Sequence, residues 1–245
     1  MKPQTTRTFS FLTLLVTFVF LSSCTYSEGK VTRGDGNVVT STIPLSDFDE
    51  IDLQGGFNVV LKQGSDLEVV IETDENLMEL LDVEVRGKTL YVSTTREAVL
   101  KPTKMILTIT YPALRGITVG GACKIESEEV IQSDDLRFDI SGAAEIDLAI
   151  VAEVLRTELA GAGSINFEGK VREHYIDLAG ASSLEAKELI TEVTEIDLSG
   201  AGSASVHATT SLRASLSGVG SIKYYGNPGE TQIDKSGLGS IRSAE

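Results

Sequence analysis

The sequence predicts an all-β solenoid, a parallel β-helix with coils of about 19–20 residues. Three observations carry this. One phrase recurs through the second half of the chain: Leu159-Ala160-Gly161-Ala162-Gly163-Ser164-Ile165 is its cleanest copy, and Ile140–Ile146 and Leu178–Leu184 are close variants. The aligned glycines Gly142, Gly161, Gly180, Gly200, Gly218 and Gly237 are separated by 19, 19, 20, 18 and 19 residues. A fixed period of that size marks stacked repeats. Apolar residues also keep fixed offsets from each glycine. Leu53, Val119, Ile140, Leu159, Leu178, Leu198 and Leu216 stand two residues before it. Val59, Ile125, Ile146, Ile165, Leu184, Ala204, Ile222 and Ile241 stand four after it.

Strand alternation places both sets inside, as aliphatic columns spaced ~4.8 Å from coil to coil. The glycine between them bends the backbone where a Cβ would crowd the next coil. One coil cannot bury its own apolar face, but a stack can. Lys235 takes the inside position in the last copy, which suits an end coil with nothing stacked beyond it.

The chain opens with Lys2 and Arg7, an apolar run from Phe9 to Leu21, and Leu21-Ser22-Ser23-Cys24. That order describes a secretory signal, and the run is short of the ~20 residues a membrane-spanning helix needs. Leu-Ser-Ser-Cys resembles the bacterial lipobox, which implies lipidation at Cys24 after removal of residues 1–23; an ordinary signal peptide is the alternative. Thr25 at the next position favours an outer-membrane destination by the same resemblance. Residues 24–43 are polar and glycine-containing, and are expected to form a lipidated tether reaching on the order of 60 Å when extended. The domain is expected over 44–245, with irregular coils at 44–115 and regular repeats at 116–245.

Charge and cysteine content narrow the functional classes. Removing Lys2 and Arg7 moves the formal charge from −15 to −17, which argues against nucleic-acid partners. With Cys24 lipidated, Cys123 stands alone, so no intrachain disulfide is expected. Cys123 occupies the offset held elsewhere by Ala144, Gly163, Ser182 and Gly202, and reads as a small buried filler.

The first half is less regular. Leu67–Ile71, Val83–Val85, Leu90–Val92 and Ile106–Ile109 read as strands, with a tight turn at Arg86-Gly87-Lys88. A helix is expected from Asp74 to Leu81, capped by Asp74, with Leu77, Leu80 and Leu81 on one face. The 66-residue gap from Gly55 to Gly121 suggests about three irregular coils. Near the end, Tyr224-Tyr225-Gly226-Asn227-Pro228-Gly229 reads as a turn.

One column could carry chemistry. Asp52, Asp139, Glu158, Asp177, Asp197 and Asp234 stand three residues before the glycine, interrupted by Thr118 and Ser215. Alternation puts them outside. Stacked carboxylates repel by about 1 kcal/mol per pair in water, so a calcium ion could bridge Asp139, Glu158, Asp177 and Asp197. The plainer and favoured reading is solvated charge that discourages lateral aggregation. His174 and His207 occupy different offsets and are expected at the surface. Tyr224 and Tyr225 are the nearest candidates for a sugar-stacking platform, and no basic cluster is evident beside the acids. No metal-ligand spacing, phosphate loop or nucleophile elbow occurs, so neither cofactor nor catalytic residue is assigned.

The lipobox, the repeated Gly-Ala-Gly-Ser-Ile phrase, the Tyr-Tyr-Gly-Asn-Pro turn and the closing Ser236-Gly237-Leu238-Gly239-Ser240-Ile241 together resemble the head GIN domain family of auto-transporter adhesin heads. The resemblance spans Phe48 to Ile241 and implies a right-handed parallel β-helix. It supplies no catalytic residues. The expected function is a non-catalytic envelope lipoprotein that is anchored to the membrane by its N-terminal lipid and binds a glycan or protein ligand. A carbohydrate-active β-helix enzyme, or a structural module that pairs with another chain, are the rival readings.

Overall fold

The computed structural model describes residues 30–95 and 98–244; the signal peptide and Cys24 lie outside the described residues. The chain enters through β1 (Lys30–Arg33) and β2 (Val38–Pro44). β1 and all of β2 but Pro44 lie in the stretch expected as a flexible tether, which is strand at these residues. Val38-Val39-Thr40-Ser41-Thr42-Ile43 has no apolar period, yet its β-branched run favours extended backbone. A partner strand then supplies the hydrogen bonds.

β3 (Glu50–Gln54) and β4 (Gly56–Gln63) flank Gly55 and make the first coil. β5 (Glu68–Asp74) runs antiparallel to β2. The helix α1 is a single turn, Glu75–Met78, rather than Asp74–Leu81, and the Asp74 side chain does not cap it. The Asp74 carboxylate instead accepts backbone N–H bonds from Gly36 at 2.8 Å and Thr103 at 2.7 Å. Burial pushes its pKa up, but those donors outweigh burial and hold the group below the ordinary carboxylate range. Leu81 is recruited into β6 (Leu81–Arg86), which pairs antiparallel with β7 (Thr89–Thr94) around Gly87 at φ +66°. The expected tight turn is therefore present.

β8 (Ala98–Lys101) pairs in parallel with β1 as a separate two-stranded sheet. β9 (Met105–Tyr111) completes the cap. β10 (Gly116–Val119) and β11 (Ala122–Ser127) stack on β3 and β4, while β7 and β9 stack on their opposite side. The gap between Gly55 and Gly121 is thus one folded cap, not three coils. Repeat register fixes a residue's place within a coil, but not the order in which coils stack.

The regular series follows: β12 (Ile131–Ile140), β13 (Ala143–Leu159), β14 (Ala162–Leu178), β15 (Ala181–Leu198) and β16 (Ala201–Leu216). β17 (Val219–Tyr225), β18 (Glu230–Lys235) and β19 (Leu238–Ser243) close the parallel β-helix. Ile146 pairs with Ile165, then Leu184, Ala204, Ile222 and Ile241, one step per coil as the period requires. The inside column from Leu53 to Leu216 is buried throughout, and Lys235 is exposed on the end coil. A Cβ built on Gly161, Gly180 or Gly218 would overlap the carbonyl oxygen of the glycine one coil earlier. The glycine ladder is therefore a packing requirement.

Inside the stack, Phe138 and Phe167 meet at 5.2 Å between ring centroids, and His174 continues the cluster 6.2 Å from Phe167. His174 is buried, which corrects the surface expectation. Its Nε2 lies 3.1 Å from Thr157 Oγ1, and burial lowers its pKa to about 3. The hydroxyl satisfies one ring nitrogen, so a neutral imidazole fits where an aliphatic residue otherwise would. Cys123 is a buried filler as expected: its Sγ sits 3.6 Å from the Gly55 carbonyl oxygen, and burial raises the thiol pKa to about 11.

Candidate ligand-binding face

The acid column stands outside, on the ladder that leads into each glycine turn. Register aligns Asp52, Thr118, Asp139, Glu158, Asp177, Asp197, Ser215 and Asp234 across neighbouring strands. Two residues earlier on the same strands runs a second outward column: Glu50, Gly116, Arg137, Arg156, Tyr175, Glu195, Arg213 and Gln232. The expectation that no basic cluster accompanies the acids is corrected by Arg137 and Arg156, neighbours in register, with Arg213 farther along the same column. These residues sit five positions before Gly142, Gly161 and Gly218, so the repeat alignment itself contained the signal.

The two columns are cross-linked. The Arg137 guanidinium reaches Asp139 at 3.4 Å and Glu158 at 3.1 Å. Arg156 pairs with Asp135 and lies 5.7 Å from the centroid of the Tyr175 ring. The Tyr175 hydroxyl donates to Glu173 at 2.8 Å. That bond is the main reason the Glu173 carboxyl titrates below its ordinary range, with Arg172 and Arg156 adding to it, and it raises the Tyr175 pKa in turn. Arg213 meets Glu195 at 3.5 Å and donates to Gln232 at 3.0 Å. Asp177 and Asp197 face each other in register and have no ion pair among the described residues.

Two shallow depressions follow these columns. One, about 540 Å³, is lined by Asp52, Tyr91, Arg115, Asp139, Arg137 and Arg156. The other, about 310 Å³, is lined by Arg156, Glu158, Tyr175, Asp177, Asp197 and Arg213. Arg156 borders both, so they succeed one another as a track along the stack. A further groove of about 920 Å³ lies at the next corner, with Arg115, Asp135, Glu153 and Arg172 in its walls.

Tyr91 and Tyr175 are the tyrosines on this face. Each is half-buried and has a guanidinium over its ring, Arg86 for Tyr91 and Arg156 for Tyr175. Tyr224, a sequence candidate for ligand stacking, instead packs against the core near the last coil. Tyr225 pairs with His207 on the outermost turns, away from this track. Among the described residues, no group of three or more His, Cys, Asp or Glu side chains converges as a metal site. Between Asp139 and Glu158, the Arg137 guanidinium occupies the position a bridging cation would need. The array can offer hydroxyl, carboxylate and guanidinium contacts at repeated spacing, with two aromatic surfaces.

No functionally curated protein matches the sequence. Among solved structures, the fold resembles a "putative adhesin" from Bacteroides fragilis with 27% identity and TM-score 0.84, covering 87% of this chain and 100% of that one. It also resembles a "putative lipid binding protein" from Parabacteroides distasonis, with 25% identity, TM-score 0.74, and coverage of 88% and 100%. A "putative adhesin" from Parabacteroides merdae, at 20% identity and TM-score 0.68 with coverage of 88% and 99%, shares the fold. The family model described as "Putative auto-transporter adhesin, head GIN domain" matches residues 47–228, from just after β2 to just before β18, and the chain belongs to that family.

Proposed function

We propose that this chain is a non-catalytic adhesion module of the cell envelope, anchored through a lipid on Cys24, and that the track along Arg137, Arg156, Tyr175 and Arg213 holds its ligand. One observation carries the reading: Arg137, Arg156, Tyr175, Glu195 and Arg213 stand in register on successive coils beside the acid column, so polar and aromatic groups recur at the coil spacing. A repeating ligand, such as a glycan chain, fits a repeating surface. Its hydroxyls can exchange hydrogen bonds with both charge types, and a sugar face can pack on Tyr175. The adhesin naming of the family and of the Bacteroides fragilis structure supports the same reading.

An enzyme of glycan cleavage would need two carboxyls held in different protonation states, one as acid and one as base or nucleophile. The carboxylates here are half-exposed, and Asp139, Glu158, Asp135 and Glu195 are paired with arginines. That arrangement favours binding over proton transfer.

The test is a glycan array probed with the chain starting at Cys24, followed by titration of any hit against Tyr175→Ala and Arg156→Ala. Loss of either side chain should weaken binding by about 1–2 kcal/mol, roughly five- to thirtyfold in Kd, with unchanged far-UV circular dichroism. Binding that ignores both substitutions, or cleavage of the glycan, sinks the reading.

A further inference from the structure

The one small sheet outside the stack carries an unusual surface. β1 and β8 pair in parallel, with Val31 opposite Val99 and Arg33 opposite Lys101. Alternation puts these four side chains on one face, and all four are exposed, Val31 by 51% and Val99 by 50%. On the opposite face, Leu100 packs against the core and fixes the sheet to the cap. Neither Arg33 nor Lys101 has an ion pair among the described residues. A basic and apolar patch thus interrupts a chain whose formal charge is −15. Asp35 and Glu75 lie just beyond it and are held in hydrogen bonds with Asn37.

Chain length supplies the partner. Lys30 is six residues after Cys24, so β1 can start no farther than about 20 Å from an anchor at that cysteine. We propose that this face of the β1–β8 sheet rests on the anionic headgroups of the bilayer that holds the anchor. Val31 and Val99 enter the interface, and Arg33 and Lys101 meet lipid phosphates. The proposal rests on reading Cys24 as the lipid anchor. Two basic residues cannot recruit so acidic a chain from solution; they orient one that is already tethered. The cap then faces the membrane. Tyr175 lies five strand spacings from β7, about 24 Å at ~4.8 Å each, so the part of the candidate ligand track around Tyr175 and Arg213 stands away from the cap.

The experiment couples the chain starting at Cys24, carrying Cys123→Ala, to a maleimide lipid in vesicles of phosphatidylcholine with or without phosphatidylglycerol. Hydrogen exchange is then followed by mass spectrometry. With phosphatidylglycerol, peptides covering 30–34 and 98–102 should exchange several-fold more slowly, while 230–243 should not change. Arg33→Glu with Lys101→Glu should abolish that protection and leave the melting temperature unaltered. Protection that is absent, or that appears on the acidic track instead, overturns the proposal. Chemical coupling makes this result independent of natural lipidation. That reading is tested separately, by radiolabelled fatty-acid incorporation in the native host and its loss in Cys24→Ser.

Discussion

At the scale of single residues, stacking geometry decides what each position tolerates. Gly180 needs no positive φ, yet a methyl group there would overlap the Gly161 carbonyl oxygen. The coils would have to separate locally. Gly180→Ala should therefore cost about 1–3 kcal/mol, read as a lower urea midpoint. His174 makes a different demand. Its folded pKa, lowered to about 3, lies below the unfolded value near 6.5. The unfolded chain takes up the proton first, so this contribution is complete above pH 6.5 and is lost as pH falls toward 3. The slope approaches about 1.4 kcal/mol per pH unit. His174→Leu removes that slope between pH 6 and 4, at the cost of leaving the Thr157 hydroxyl without its partner. A melting-temperature profile whose pH dependence is the same in both proteins would show that His174 does not titrate on unfolding.

At the scale of elements, the two ends of the stack differ. The N-terminal end is closed by an antiparallel cap: β2 covers β5 along seven residue pairs, and Ile43 and Leu45 pack against the core. The C-terminal end is open. β18 is exposed along its whole length, and on β19 Leu238 is 78% exposed. Solenoid stability is close to a sum over coils and their interfaces, so the ends should respond unequally to deletion. Removing residues 230–245 should lower the melting temperature modestly and keep a single cooperative transition. Removing residues 30–44 should bare the edge of β5 and lead to aggregation or loss of cooperativity, seen by light scattering during the melt. Equal effects from both deletions would refute the view that the cap is the structural foundation.

At the scale of the whole molecule, charge is arranged as well as abundant. The acidic columns and their arginines run along the length of the stack, while the basic and apolar patch belongs to the cap. This polarity leads to the orientation proposed above, with the cap toward lipid and the track outward. It also changes what the segment after Cys24 can do. With the anchor proposed at Cys24, a tether reaching residue 43 would hold the domain far from a membrane, whereas a fold that includes β1 would keep the cap close to one.

Much of this was legible in the chain. Period, alternation and the offsets from each glycine determined the parallel β-helix, its inside columns and the outward acids. A stacked repeat converts sequence spacing directly into spatial register. Tertiary structure decided what periodicity does not encode. The cap is an insertion whose strands return to the far side of the first coil, and stacking order is not written in a repeat. His174 stands six residues before Gly180, at the offset where Leu136, Leu155 and Leu212 are buried, so its burial was legible in the repeat, and only its Thr157 partner was left to the tertiary structure. The arginine column was present at a constant offset, but its pairing with the acids depended on side chains meeting across coils. β1 and β2 have little apolar pattern of their own. They are strands because β8 and β5 present open edges whose hydrogen bonds they complete.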